Sequence, residues 1–135
     1  MRIVIDTNLW ISAFISRKFQ QRLFIVIQTP SIYILTNHHL LEEIERTISK
    51  SKFEKYISPE KRKELLLMLN SRLDFVNIKS EVKICRDPND DFLLSHCKDG
   101  NADYLITGDK DLLVVNPFEN TQILTLTDFE IILQS

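Results

Sequence analysis

The stretch RIVIDTN, Arg2–Asn8, decides how the rest of the chain is interpreted. Its apolar residues 3–5 predict a short strand that is buried on both faces of a sheet. The strand ends at once in Asp6, and a carboxylate in that position lies at the edge of the sheet where α/β folds bind ligands. Asp6 is therefore the first candidate site residue, and Thr7 and Asn8 supply hydrogen bonds at the start of the following helix.

The length and composition predict one domain spanning residues 1–135. A chain of 135 residues with 44% hydrophobic composition is long enough to bury a sizeable core. No segment approaches the ~20 apolar residues of a membrane span, and Asp6 and Asn8 interrupt the apolar core that a secretory signal needs. We therefore expect a cytoplasmic protein without a membrane partner. Cys85 and Cys97 are expected to be free, buried thiols.

The charge is unevenly distributed along the chain. A formal net charge of -2 argues against a protein that holds nucleic acid mainly by bulk electrostatics. Seven basic residues lie between Arg46 and Lys63, whereas seven aspartates lie between Asp87 and Asp111. The basic run could guide RNA phosphates toward the acids, but such a run is more often a solvated helix face.

Strand and helix patterns alternate along the chain. Short β-branched or aromatic runs predict strands at 2–6, 32–36, 75–78, 104–107 and 122–126. Helical periodicity predicts helices at 8–28 with a break near Ser16, and at 37–50, 59–73, 88–98 and 128–135. This alternation predicts an α/β fold, with helices on both faces of a central, mostly parallel sheet of about five strands.

Acidic residues from distant parts of the sequence are predicted to share one edge of that sheet. Asp109 follows the strand at 104–107 after one glycine, as Asp6 follows the first strand. Glu43 lies beside the buried stripe of the helix at 37–50, so its side chain can reach inward. These carboxylates would repel one another strongly if they stayed unpaired.

The segment DPNDD, residues 87–91, offers two further acids. Asp90 precedes Leu93, Leu94 and Cys97 by three, four and seven residues, which places it on the buried side of a helix. Asp91 is expected to be more exposed, so helical periodicity favours Asp90 as the functional residue.

Each acid taken alone also has a structural explanation. Asp6 and Asp90 could be helix caps, Glu43 a solvated charge, and Asp109 with Asp111 part of a turn. Four acids on one predicted rim are harder to explain in that way. Hard divalent cations, Mg²⁺ or Mn²⁺, take oxygen ligands, relieve the repulsion and can activate water against a phosphodiester.

Several motifs in order resemble the PIN domain family, and within it the VapC-like toxin components of bacterial toxin-antitoxin systems. The resemblance covers nearly the whole chain. The matching stretches are DTN (6–8), LLEEI (40–44), RDPNDDFLL (86–94), ADYLITGDKDLL (102–113) and ILTLTDF (123–129).

This resemblance implies a three-layer α/β/α sandwich and a Mg²⁺- or Mn²⁺-dependent ribonuclease. It also implies a homodimer and a cognate antitoxin protein as partners. Carried over residue by residue, it gives Asp6, Glu43, Asp90 and Asp109 as catalytic residues and metal ligands. The remaining motif residues have supporting roles: Asp111 and Asp91 as accessory or alternative acids, and Thr7, Asn8 and Thr107 behind the ligands.

Two other functions remain as alternatives at this point. An aspartyl-phosphate phosphotransferase or receiver-like domain also places an aspartate after its first strand, but it generally needs a second acid where Asn8 stands. An antitoxin-binding module with a silent pocket would need none of the acids. No histidine base is required for the metal mechanism, so His38, His39 and His96 are predicted to be cap, surface and core residues respectively.

Overall fold

The structure is a computed structural model that describes the backbone of residues 1–135 and every side chain except those of residues 68 and 69. It contains five strands, β1 Arg2–Ile5, β2 Tyr33–Thr36, β3 Leu73–Phe75, β4 Tyr104–Ile106 and β5 Gln122–Leu124. Its α-helices are α1 Thr7–Ile15, α2 Arg17–Gln28, α3 His38–Ile48, α4 Pro59–Asn70, α5 Pro88–Asp99, α6 Lys110–Leu113 and α7 Leu126–Leu133. A short 3₁₀ helix, Ser51–Phe53, follows α3.

The sheet is entirely parallel, with strand order β3-β2-β1-β4-β5. The chain first builds outward from β1 through β2 to β3, and then returns to place β4 on the other side of β1. The order therefore reverses between β1 and β4. At such a reversal the loops after the two strands lead away from each other and leave a crevice beyond their carboxyl ends.

The central strand is the most deeply buried part of the chain. Ile3, Val4 and Ile5 are fully buried, as required of a parallel strand covered by helices on both faces. The backbone N–H of Asp6 continues the pairing by donating to the carbonyl of Ile106 at 3.0 Å. The buried sheet therefore holds the backbone of Asp6 rigidly at the mouth of the crevice.

Helix starts follow the capping signals in the sequence. The predicted break near Ser16 is confirmed, because Ser16 follows the last residue of α1 and caps α2. Its hydroxyl accepts from the backbone N–H of Phe19 in the first turn of α2. The carboxamide of Asn37 accepts from the N–H of Leu40 at 2.8 Å and so sets the start of α3. Asp87 caps α5, in which Pro88 is the first residue.

The third strand lies earlier than its predicted position at 75–78. β3 covers Leu73–Phe75, and α4 ends at Asn70 instead of continuing to residue 73. β3 is an edge strand that pairs only with β2 and is largely exposed, so its apolar pattern is weak. A contact of the preceding residue helps to place β3 instead: the guanidinium of Arg72 donates to the backbone carbonyl of Ile27.

The C-terminal elements also differ in their bounds from the prediction. β5 stops at Leu124 and α7 begins at Leu126, because the Thr125 hydroxyl caps the helix by accepting from the N–H of Asp128 at 3.2 Å. α6 was not predicted, since four residues are too few to show a helical period. Among the described residues, no helix has both the length and the apolar character needed to cross a membrane.

Candidate active site

A cleft with an empty volume of about 650 Å³ opens at the point where the strand order reverses. Asp6 reaches it from the end of β1, Asp109 from the loop after β4, Glu43 from α3 and Asp90 from the first turn of α5. All four predicted catalytic acids therefore line one cleft. The lining residues are Asp6, Thr7, Asn8, His39, Leu40, Glu43, Asp87, Asn89, Asp90, Phe92, Leu93 and Asp109.

Thr107 joins the ends of the two central strands at the floor of this cleft. Its fully buried hydroxyl donates to Oδ2 of Asp6 at 2.6 Å and accepts from the backbone N–H of Asp109 at 3.0 Å. Burial raises the pKa of Asp6, although this hydrogen bond and the nearby backbone N–H groups of Asn8 and Thr7 oppose the rise. Thr107 thus fixes the rotamer of one acid and the backbone of another.

Asp6 occupies the capping position of α1, but its carboxylate makes no capping hydrogen bond to a described residue. Thr7 is buried as the first residue of α1, Asn8 is exposed beside it, and both line the cleft. The carboxylate of Asp6 therefore accepts from the Thr107 hydroxyl and faces the cleft, while it also lies beside the first backbone N–H groups of α1.

Among the acids that line the cleft, Asp90 has the most strongly shifted pKa. Its side chain is 7% exposed, and burial together with the charge of Asp109 raises its pKa to about 7. A hydrogen bond between the two carboxyl groups and the charges of Asp87 and Asp6 add to the rise. Asp90 and Asp109 are thus close enough to share a proton when no cation lies between them.

Asp91 has a different task from its neighbour. One of its carboxylate oxygens accepts from the backbone N–H of Cys85 at 2.8 Å and of Ile84 at 3.0 Å. These two hydrogen bonds lower the pKa of Asp91. Asp91 therefore ties the segment before α5 to the helix, whereas Asp90 faces the cleft.

Asp109 and Asp111 extend the acidic cluster toward the surface. Oδ1 of Asp109 accepts from the backbone N–H of Asp111 at 2.9 Å and so caps α6, whereas Oδ2 takes no part in this capping hydrogen bond. One carboxylate oxygen each from Asp90, Asp109 and Asp111 lies within 4.8 Å of the others. The predicted accessory acid, Asp111, is therefore part of the tightest group, while Asp6 and Glu43 lie elsewhere in the same cleft.

Only the outer member of the cluster is neutralised by a basic side chain. Nη2 of Arg86 lies 2.9 Å from Oδ1 of Asp111, and both side chains are largely exposed. Within the part of the chain whose side chains are described, no lysine or arginine forms an ion pair with Asp6, Glu43, Asp90 or Asp109. The inner acids therefore retain uncompensated negative charge.

This donor set fits a hard divalent cation. The converging groups are carboxylate oxygens that are partly withdrawn from water, and the pKa of Asp90 is raised first by burial and then by the charge of Asp109. A divalent cation beside Asp90, Asp109 and Asp111 would offset the repulsion among these carboxylates.

The histidines occupy three different environments. His96 is fully buried in α5, as predicted, and burial lowers its pKa to about 4. His38 was predicted to be a cap, but Asn37 performs that role and His38 is the first, exposed residue of α3. His39 is exposed as predicted, and it also lines the acidic cleft.

Sequence reasoning missed three contributors to this region. Arg86 lies in the quoted RDPNDD motif but received no role, and His39 and Phe92 were not recognised as cleft residues. The proximity of Arg86 to Asp111, 25 positions apart, depends on the path of an irregular segment that has no periodic signal. The position of His39 and Phe92 depends on how α3 and α5 are placed beside one another.

Comparisons with known proteins agree with this architecture. The model of a family described as PIN domain matches residues 2–111. The uncharacterized protein MJ1680 of Methanocaldococcus jannaschii is 30% identical over 115 residues, which cover 84% of this chain and 74% of that protein.

Two solved structures share the fold. A chain of VapBC2 from Rickettsia felis, bound to a DNA fragment from its promoter, has a TM-score of 0.60 and 19% identity over 91% of this chain and 97% of its own. A chain of VapBC-1 from nontypeable Haemophilus influenzae has a TM-score of 0.61 and 16% identity over 94% of this chain and 99% of its own.

Proposed function

This chain belongs to the PIN domain family, and we propose that it is a Mg²⁺- or Mn²⁺-dependent endoribonuclease that hydrolyses phosphodiester bonds in RNA. The observation that carries the proposal is the convergence of uncompensated acids in one cleft, beyond the ends of β1 and β4. A phosphodiester cannot approach such a cleft without cations, and the carboxylates provide the ligands for them.

In this proposal the acids divide into ligands and a proton acceptor. Asp90 and Asp109 would hold the principal cation together with Asp6 on the inner side of the cleft, and Asp111 would be an accessory ligand on the outer side. Such a cation would neutralise negative charge and activate water for attack on the phosphodiester. Glu43, half-buried on α3 and outside the Asp90–Asp109–Asp111 group, would orient the attacking water and accept its proton, or would hold a second ion.

Supporting residues set the positions of these groups. Thr107 orients Asp6 and the backbone of Asp109, and Thr7 and Asn8 border the same wall of the cleft. Asp91 holds the segment that leads into α5, so that Asp90 enters the cleft from a fixed first turn. Such contacts behind metal ligands commonly change metal affinity or activity by about 10- to 100-fold.

The proposed biological role is that of the toxin in a toxin-antitoxin pair, acting in the cytoplasm as a homodimer with a cognate antitoxin. Its support is the shared fold with chains of two VapBC assemblies. The role is tested by co-expressing the product of any small adjacent reading frame. Relief of growth arrest and loss of RNA cleavage support it, and unchanged toxicity contradicts it.

Digestion of end-labelled RNA tests the chemical proposal directly. We expect cleavage with Mg²⁺ or Mn²⁺, none with excess EDTA, and none with a folded Asp6→Asn variant. Cleavage that resists EDTA, or full activity of the variant, contradicts the metal mechanism. Transfer of labelled phosphate from a small phosphoryl donor onto Asp6 identifies a phosphotransferase instead, and antitoxin binding without any cleavage identifies a silent module.

A further inference from the structure

Two ring side chains meet at the rim of the acidic cleft. His39 lies in the first turn of α3 and Phe92 lies two residues after Asp90 in α5. Their ring centroids are 4.4 Å apart, with an interplanar angle of 53°. Both residues line the cleft that contains Asp6, Glu43, Asp90 and Asp109.

These rings are accessible from the cleft. His39 is exposed and Phe92 is half-buried. The next two residues of α5, Leu93 and Leu94, are buried in the core, whereas the side chain of Phe92 stays partly accessible to solvent. The ring of Phe92 therefore packs against a polar, solvent-facing ring at the cleft wall. An aromatic surface beside a site for phosphate chemistry is the arrangement that single-stranded nucleic-acid proteins use to stack bases.

We propose that His39 and Phe92 form a stacking site for an unpaired nucleobase next to the RNA phosphate that is cleaved. The proposal rests on the proposed nuclease function and assigns the binding of one base to these two side chains. A base held in a duplex remains stacked on its neighbours, so it cannot reach these rings. The rings contribute to substrate binding and positioning, whereas the acids perform the chemistry.

A second histidine-aromatic pair provides a matched control. His38, the neighbour of His39, has its ring centroid 4.8 Å from that of Phe75, with an interplanar angle of 34°. Phe75 is 50% exposed, so this pair is also accessible to solvent. Neither His38 nor Phe75 is among the described residues that line the acidic cleft. The two pairs thus match in chemistry and differ in location.

The test uses five-nucleotide RNAs that carry one 2-aminopurine, with Ca²⁺ replacing Mg²⁺ so that binding is measured without turnover. We expect the full-length protein to quench the fluorescence of the single strand by stacking. His39→Ala and Phe92→Leu are each expected to abolish the quenching and weaken binding about tenfold, which is within the range for loss of one stacked base. His38→Ala and Phe75→Leu are expected to leave both quantities unchanged.

An RNA of the same length with an abasic site in place of 2-aminopurine separates stacking from phosphate binding. It is expected to bind wild type and His39→Ala equally. Absence of quenching in the wild type, equal losses in the His38 and His39 variants, or equal affinity for duplex and single strand overturns the stacking site. Quenching that depends on His39 but is not followed by cleavage in Mg²⁺ supports the stacking site and contradicts the nuclease.

Discussion

The aspartates at the two ends of the β-sheet have opposite surroundings: hydrogen-bond donors at the amino end and other acids at the carboxyl end. At the amino end, Oδ2 of Asp103 accepts from the backbone N–H of Arg2 at 2.8 Å, and Asp99 accepts from the N–H groups of Lys79 and Ser80. Burial raises the pKa of Asp99, but its hydrogen bonds from Ser80 and Lys79 outweigh that effect and lower it. These carboxylates stabilise loops.

At the carboxyl end, the acids face one another. The carboxyl groups of Asp90 and Asp109 lie in one cluster, and the pKa of Asp90 rises to about 7, first because of burial and then because of the charge of Asp109. The same residue type thus marks structure at one end and a candidate metal site at the other. The distinction lies in whether donors or other acids surround the carboxylate.

The largest expected difference between the two ends concerns catalysis. Asp103 and Asp109 flank β4 on opposite sides, so Asp109→Asn and Asp103→Asn form a matched pair. Asp109→Asn is expected to lower kcat/KM for RNA at least about 10³-fold, since losing a metal ligand removes several kcal/mol of transition-state stabilisation. Asp103→Asn is expected to change it less than about threefold once the fraction of folded protein is equal. A comparable loss of kcat/KM in both variants would contradict the functional difference inferred between the two ends of the sheet.

Two buried threonines test the supporting contacts. The hydroxyl of Thr107 bonds Asp6, whereas that of Thr121 donates to the carbonyl of Ala102 at 2.7 Å near the amino end. Thr107→Val and Thr121→Val should each lower the free energy of unfolding by about 1 to 3 kcal/mol. Only Thr107→Val should also weaken Mn²⁺ binding, by about 10- to 100-fold in a titration followed by calorimetry. Weakened binding in both variants indicates a general loss of structure.

The pH dependence of unfolding in EDTA sharpens the comparison further. The folded pKa of Asp90, about 7, exceeds its ordinary value of 3.8, so its protonation stabilises the fold at low pH and that stabilisation is lost as pH rises through 7. His96 acts oppositely: its folded pKa of about 4 lies below 6.5, so stability falls as pH drops from 6.5 toward 4. Each slope approaches about 1.4 kcal/mol per pH unit.

Urea unfolding of variants separates these effects. Asp90→Asn is expected to raise the unfolding free energy at pH 8 by about 2 kcal/mol relative to wild type and to leave the decline due to His96 below pH 6.5. Asp99→Asn at the amino end is expected to lower it by about 1 kcal/mol at pH 8, because backbone donors lose a charged acceptor. A destabilised Asp90→Asn protein contradicts the repulsion inferred among the cleft acids.

The smallest changes in stability and metal binding are expected from two exposed ion pairs at the protein surface. Arg86 pairs with Asp111 at 2.9 Å, and Lys98 pairs with Glu119 at 3.9 Å away from the cleft. Removing either exposed pair should change stability by less than about 1 kcal/mol. Because Arg86 competes with a cation for Asp111, Arg86→Ala should tighten Mg²⁺ binding about two- to threefold, whereas Lys98→Ala should not. Weaker binding in Arg86→Ala would show that Arg86 supports the metal site instead of competing with the ion.

The carboxyl end was largely predictable because its signals are local. Asp6 follows the apolar residues 3–5 of β1, Asp109 comes shortly after β4, and Asp90 has the helical spacing of a buried position. Parallel strands and short connections then bring these residues to one edge. The sequence could not show how closely the carboxyl groups of Asp90 and Asp109 approach, because that depends on side-chain rotamers as well as on topology.

Other features depended on contacts without a periodic pattern. The register of β3 is set at an exposed edge, where Leu73 and Phe75 carry little hydrophobic signal. The role of Asp91 depends on the irregular segment that brings Ile84 and Cys85 to its carboxylate. The amino-end acids, Asp99 and Asp103, resemble the cleft acids in sequence and differ only in the donors that surround them.

The reversal of strand order between β1 and β4 has a consequence for synthesis on the ribosome. Asp6 is translated among the first residues, but β4 and Asp109 follow only after β2, α3, β3 and α5. A nascent chain that has not yet released β4 lacks the second wall of the cleft and the Thr107 hydroxyl that orients Asp6. The acidic cleft is therefore assembled late, after most of the described chain has been synthesised.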